Sequence, residues 1–269
     1  DALEIRRRNC YGVGQRNITP YGQMVENNTL PELFQRLWTD ANYDRRRADV
    51  DLFNAKSQTH VKGLATTAVK FGISFTTTHL NQAGALVLVY ADGSIQVNHG
   101  GTEMGQGLMI KVAQVVAEVF GVPIETVKVT ATRTDKVPNT SATAASSGSD
   151  LNGMAAQRAA ETIKDRLDTF AAAQPGSAGW SFPELCRRAP LGRISLSATG
   201  FYATPKIHYD RATHTGRPFL YFAYGAALSE VVIDTLTGEH RVLAVDILHD
   251  VGRSLNPAID LGQIEGGFI

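Results

Sequence analysis

The chain has 269 residues, 43% of them hydrophobic, enough to bury one large core or two modest ones. Its 26 basic and 26 acidic residues cancel, so no whole-chain field draws it to nucleic acid or to an anionic membrane. Two cysteines, Cys10 and Cys186, share no metal spacing and cannot form a disulfide framework, which makes a reducing cytoplasm the expectation, and no apolar run reaches the length of a membrane span.

In chain order, residues 3–9 read as the last turns of a helix and the glycine-rich, polar segment 11–23 as a linker. The expected division is therefore a remnant of a preceding domain with its linker over 1–23 and a main domain over 24–269, truncated at its C-terminal end. Thr29 offers a capping box with Glu32, and Leu30, Leu33, Phe34, Leu37 and Trp38 recur at helical spacing. A charged helix is expected over 43–54, and residues 60–77 are β-rich. Residues 86–90 and 95–99 flank Asp92-Gly93, a dipeptide favoured in tight hairpins.

Gly100-Gly101-Thr102-Glu103-Met104-Gly105-Gln106-Gly107 then joins the second strand to an apolar helix, 108–120, which Gly121 and Pro123 terminate. A strand follows over 127–131. The small, hydroxyl-rich stretch 138–150 leads into a helix carrying Leu151, Met154, Ala155, Ile163, Leu167 and Phe170 on one face, with Pro175-Gly176 at its end. Further strands are expected over 194–202, 221–233 and 241–248, the last two joined through Thr237-Gly238, and a helix begins at Ala258. The pattern predicts an α+β fold with a mixed, largely antiparallel sheet packed against helices.

Two polar helix entries thus stand in one chain. A helix N-terminus presents unpaired N–H groups, and glycine lets a ligand approach the main chain, so either entry can cradle an anion or a polar ring. Plain turn chemistry explains each of them too. The spacing fits neither a dinucleotide fingerprint nor a phosphate-binding loop. The seven histidines are scattered, no His/Cys metal spacing, nucleophile elbow or iron–sulfur run occurs, and Glu103, Glu230 and Glu265 cannot be paired by spacing alone.

The blocks Phe71-Gly72-Ile73-Ser74-Phe75-Thr76, Asn81-Gln82-Ala83-Gly84-Ala85, 100–107, Val137-Pro138-Asn139-Thr140-Ser141, Asp150-Leu151-Asn152-Gly153, Leu196-Ser197-Ala198-Thr199-Gly200 and 254–260 together resemble the molybdopterin-binding part of molybdenum hydroxylases of the xanthine dehydrogenase type. They run in order over nearly the whole chain. The resemblance implies that 24–269 is a molybdopterin-binding domain and that the full-length enzyme oxidises hypoxanthine and xanthine to urate with water. FAD and 2Fe-2S clusters would lie on other domains or subunits, in a dimer of heterodimers. An aldehyde oxidase-type hydroxylase and a non-catalytic anion- or cofactor-binding module are the alternatives.

By the same resemblance, Met104, Gly105, Gln106, Thr143, Ala145, Ser146, Gly148 and Gln263 bind the cofactor, with Gln106 near the molybdenum. Phe75, Thr76, Ala144 and Ala145 face the purine. The metal is held by the pterin dithiolene and by no side chain of this chain. The general-base glutamate is expected beyond Ile269, so these residues alone are expected to be inactive. Met109 stands where family members commonly carry His.

Overall fold

The computed structural model describes residues 2–137 and 140–269; Pro138 and Asn139, which belong to the hydroxyl-rich stretch and to one block of the resemblance, lie outside the described residues. Along the chain run α1 (Ala2–Asn9), α2 (Leu30–Asp40), α3 (Tyr43–Lys56), β1 (His60–Ile73), β2 (Gln82–Val89), β3 (Ile95–His99), α4 (Leu108–Phe120) and β4 (Val127–Val129). These are followed by α5 (Gly148–Ala172), α6 (Phe182–Arg188), β5 (Ser197–Ala203), β6 (His208–Asp210), β7 (Thr215–Arg217), β8 (Tyr221–Asp234), β9 (His240–Asp250) and α7 (Pro257–Phe268). The elements form two units, one of Asp1–Ile73 with Asp210–Arg253, the other of Ser74–Tyr209 with Ser254–Ile269.

The first unit is built on an antiparallel sheet of order β1-β8-β9. β1 pairs with β8 from His60 opposite Asp234 to Ile73 opposite Tyr221, and β9 runs along the other side of β8 with a bulge at Glu230/Val231. Phe34 and Leu37 of α2 and Tyr43 and Val50 of α3 bury their side chains with Leu64, Ala226 and Leu228 of the sheet. Arg46 of α3 bonds Glu230 at 3.2 Å and also Asp246, and Lys62 reaches the same Glu230 at 3.3 Å.

The expected capping box at Thr29 does not form. The Thr29 hydroxyl donates instead to the Asp250 carboxylate at 2.8 Å, and Asn28 Oδ1 accepts the Leu30 N–H at 3.2 Å. A charge-assisted bond outcompetes a neutral one, and an acceptor 221 residues away is invisible to local spacing.

The second unit has a four-stranded sheet of order β4-β3-β2-β5, antiparallel except for the β3–β4 pair. β2 alternates as a half-buried strand should, with Ala83, Ala85, Val87 and Val89 all buried. Val112 and Val116 of α4 and Ala155, Ala159 and Ile163 of α5 pack in the same core. α5 uses alanine because it lies close to β5: a Cβ added at Gly200 would stand 2.0 Å from the Ala155 carbonyl oxygen.

The mixed α+β architecture read from the sequence is the one found. α4 has the expected bounds, with Gly121 at φ +67° as its left-handed C-cap. β5 begins three residues later than expected, at Ser197, and α6 had no counterpart in the sequence reading. Its signal was present: Ser181 accepts the Glu184 N–H at 3.4 Å and Pro183 lies in the first turn. No helix among the described residues is long and apolar enough to cross a membrane.

Candidate functional site

β3 ends at His99, which is 3% exposed. Its Nδ1 accepts the Gly101 N–H at 3.1 Å, and Thr132 donates to the Gly101 carbonyl at 2.7 Å, so the chain leaves the sheet along a fixed path. A side chain at Gly101 would meet Leu108 and Asn152 at 2.6 and 2.7 Å. The turn that follows is tied to itself. Gln106 accepts the Met104 N–H at 2.6 Å and donates to the Thr102 carbonyl at 2.8 Å. Gly105 and Gly107 both have positive φ, +101° and +73°.

The second entry is joined to the first by a bond from the Thr102 N–H to the Thr143 hydroxyl at 2.9 Å. Ala145 and Ser146 then take successive left-handed conformations, φ +57° and +54°, which cost non-glycine residues roughly 1–2 kcal/mol each. No side chain caps α5; Ser147 donates its hydroxyl to the Ala144 carbonyl at 3.2 Å. Asn152 donates to the Gly148 carbonyl at 2.9 Å, leaving its buried Oδ1 without a protein partner.

A third element completes the site. α7 is capped by Asn256, whose Oδ1 accepts the Ile259 N–H at 3.2 Å. Lys111 of α4 and Asp260 of α7 pair at 2.9 Å with side chains only 15% exposed, and Ser254 also bonds Asp260. Ile259 packs against Gly107, where a Cβ would stand 2.7 Å from it. One turn on from Asp260, Gln263 donates to the Gly105 carbonyl at 3.1 Å.

These three elements enclose a cleft of about 750 Å³, within the range of ligand sites. All eight residues expected to bind the cofactor line it: Met104, Gly105 and Gln106 from the first turn, Thr143, Ala145, Ser146 and Gly148 from the second, and Gln263 from α7. Ala144, expected on the substrate side, lines it as well. Phe75 and Thr76 are not among the lining residues. They sit in the loop after β1, where Asn81 bonds both the N–H and the carbonyl of Phe75, at 2.7 and 2.9 Å.

Lys111, Ser149 and Gly266 also line the cleft and were not singled out from the sequence. Lys111 is the one charged residue in the first half of an otherwise apolar helix, a signal that was legible but had no partner until α7 was placed.

The donor set suits a large, polar, uncharged-to-anionic ring system. Amides and hydroxyls dominate, the lone lysine is already paired with Asp260, and small side chains at Ala144, Ala145 and Gly148 leave space. Three or more His, Cys, Asp or Glu side chains able to hold a metal ion do not come together among the described residues. Amides, hydroxyls and small side chains of this kind fit a bulky polar cofactor oriented by hydrogen bonds.

Comparison with known proteins agrees with this chemistry. A family model described as molybdopterin cofactor-binding domain matches residues 36–269. Xanthine dehydrogenase/oxidase of Felis catus is 48% identical over 268 residues, covering 100% of this chain and 20% of that protein. Xanthine dehydrogenase of Dictyostelium discoideum is 47% identical over 272 residues, again with 100% and 20% covered. The chain thus spans about 20% of the length of the curated relatives it matches. Among solved structures, the aldehyde oxidoreductase of Desulfovibrio desulfuricans ATCC 27774 superposes with a TM-score of 0.81 at 24% identity, covering 99% of this chain and 28% of that one. The Cu,Mo-CO dehydrogenase gives a TM-score of 0.80 at 20% identity, with 99% and 36% covered; at these identities the likeness concerns the fold. With the cleft lined by the expected residues and the family model spanning 36–269, the chain belongs to the molybdopterin cofactor-binding domain family.

Proposed function

We propose that this chain is the cofactor-holding part of a molybdenum hydroxylase of the xanthine dehydrogenase type, whose full-length protein oxidises hypoxanthine and xanthine to urate with oxygen from water. The observation that carries the proposal is the convergence of Gln106, Ser146 and Gln263, from three separate elements, on one cleft. When bound, the molybdenum cofactor supplies the oxidising centre and its metal ligands. The chain supplies orientation. Gln106 Nε2 spends one hydrogen on the Thr102 carbonyl and keeps the second for an oxygen of the bound group; Gln263 does the same after bonding Gly105. The Thr143 hydroxyl accepts from Thr102 and retains its own hydrogen for donation.

Ala144 and Ala145 form the substrate side of the cleft, leaving room for a flat heterocycle. Phe75 and Thr76 do not line this cleft; in this reading they meet the purine from the loop after β1, the ring of Phe75 contributing about 0.5–1.5 kcal/mol through edge or offset packing. In this reading residues 24–269 are the cofactor-binding domain and 1–23 the end of a preceding one. The general-base glutamate, the 2Fe-2S clusters and FAD belong to other parts of a cytoplasmic dimer of heterodimers.

The test is the full-length protein from molybdate-supplied cells, assayed for molybdenum, for the fluorescent oxidised pterin, and for urate from xanthine. All three are expected, and the isolated chain is expected to form no urate. Aldehyde turnover without xanthine turnover moves the protein to the aldehyde oxidase type, while folded protein free of pterin and molybdenum makes it a non-catalytic module.

A further inference from the structure

The turn before α4 ends in three amide N–H groups that the helix itself cannot satisfy. All three point at one side chain of the same turn. Glu103 Oε1 accepts the N–H of Gly105 and of Gly107, each at 3.0 Å, and Oε2 accepts the N–H of Met109 at 3.0 Å. We infer that Glu103 is the positioning residue of the cofactor site, an internal anion that folds Met104-Gly105-Gln106 into the shape presented to the cleft.

Three features support this. Burial pushes the Glu103 carboxyl up, but the N–H donors of Met109, Gly105, Gly107 and Met104 outweigh it and hold the group below the usual carboxylate range. The carboxylate lies at the positive end of a 13-residue helix, where a negative charge is favoured. The segment it gathers contains Gly105 and Gly107, which take left-handed conformations and have no side chains to fix them, and Glu103 adds bonds to their amides beside those that Gln106 makes within the turn.

The arrangement has a consequence for recognition. At the mouth of α4 the N–H groups of Gly107 and Met109 are already taken by Glu103, so this entry offers a ligand the side chain of Gln106, whereas Ser147 makes no side-chain cap bond at α5.

The inference rests on the proposed cofactor site, and the experiment separates the two. Full-length protein carrying Glu103→Gln is compared with wild type and with Glu118→Gln, which alters a residue at the far end of the same helix. Replacing one acceptor oxygen by an NH2 group faces donor with donor, and loss of charge-assisted bonds speeds pterin release roughly tenfold to hundredfold. Hydrogen exchange at Gly105, Gly107 and Met109 should rise while that of residues 112–116 stays unchanged. Millimolar formate should restore protection of the same amides in Glu103→Ala. Unchanged exchange at the three amides in Glu103→Gln overturns the inference, as does accelerated exchange with an unchanged rate of pterin release. Should wild type hold no pterin, the functional proposal fails and the exchange data still decide whether Glu103 shapes the turn.

Discussion

His99 is where a single residue ties the sheet to the cleft. Because Nδ1 accepts the Gly101 N–H, the ring proton sits on Nε2, a buried atom with no protein partner. Burial pushes its pKa down from 6.5 to about 4, and the nearby Glu103 carboxylate offsets this only in part. A folded-state pKa below the unfolded one means that the unfolded chain binds more protons between these values. The stability is therefore complete above pH 6.5 and is lost as pH falls towards 4, by on the order of 3 kcal/mol. Urea unfolding of wild type and His99→Gln at pH 7.5 and 4.5 checks this: the wild type should lose stability over that interval and the variant much less. Carboxylates with lowered pKa, such as Asp260, lose their contribution only below this window. Equal losses in both proteins would show that His99 is not the group responsible. Nothing in the spacing of the seven histidines marked this one, because its burial at the end of β3 comes from tertiary packing and not from its sequence neighbours.

Among the elements, α7 decides whether Gln263 reaches the turn. Its bond to Gly105 depends on an orientation set by Asn256 at the helix start and by the Lys111–Asp260 pair one turn earlier. Burial pushes the Asp260 carboxyl up, yet the hydroxyl of Ser254 and the ammonium of Lys111 prevail and keep it ionised below the usual range. Asp260→Asn leaves Lys111 without its counter-charge. It should cost about 1–3 kcal/mol, less than a fully buried pair because both groups keep some contact with water, and should speed amide exchange along α7. Replacing both partners, Lys111→Met with Asp260→Leu, should cost less than Asp260→Asn; a larger cost would show that the pair does more than neutralise itself. The helices themselves were legible, since α4 carries its apolar period and a glycine stop, and α7 its Asn-Pro start. Their mutual contact was not, because it joins residues 149 positions apart.

At the scale of the molecule, the chain keeps two sets of cores that share no core residue. Leu228 packs with α2 and α3 in the first unit, and Ile163 with α4 and the β2–β3 hairpin in the second. Each is at most 1% exposed, so Leu228→Ala and Ile163→Ala should each cost about 2–5 kcal/mol. Denaturant unfolding of each variant checks this, and a cost well below that range would show that the side chain is not held in its core.

The sequence by itself determined the periodic helices, the hairpin at Asp92-Gly93 and the two polar helix entries, because each is written in residues within a few positions of one another. Its long blocks also carried the family and, with it, nine of the residues that line the cleft, though not Lys111, Ser149 or Gly266. Only the tertiary structure decided that residues 104–106, 143–146 and 263 share a cleft, that Glu103 takes the amides of Gly107 and Met109 at the start of α4, and that the first unit is made of two distant segments. The reason is physical: strand pairing such as that of His60 with Asp234, and buried polar contacts such as that of Lys111 with Asp260, are chosen by desolvation and packing across long sequence separations, which no local spacing encodes.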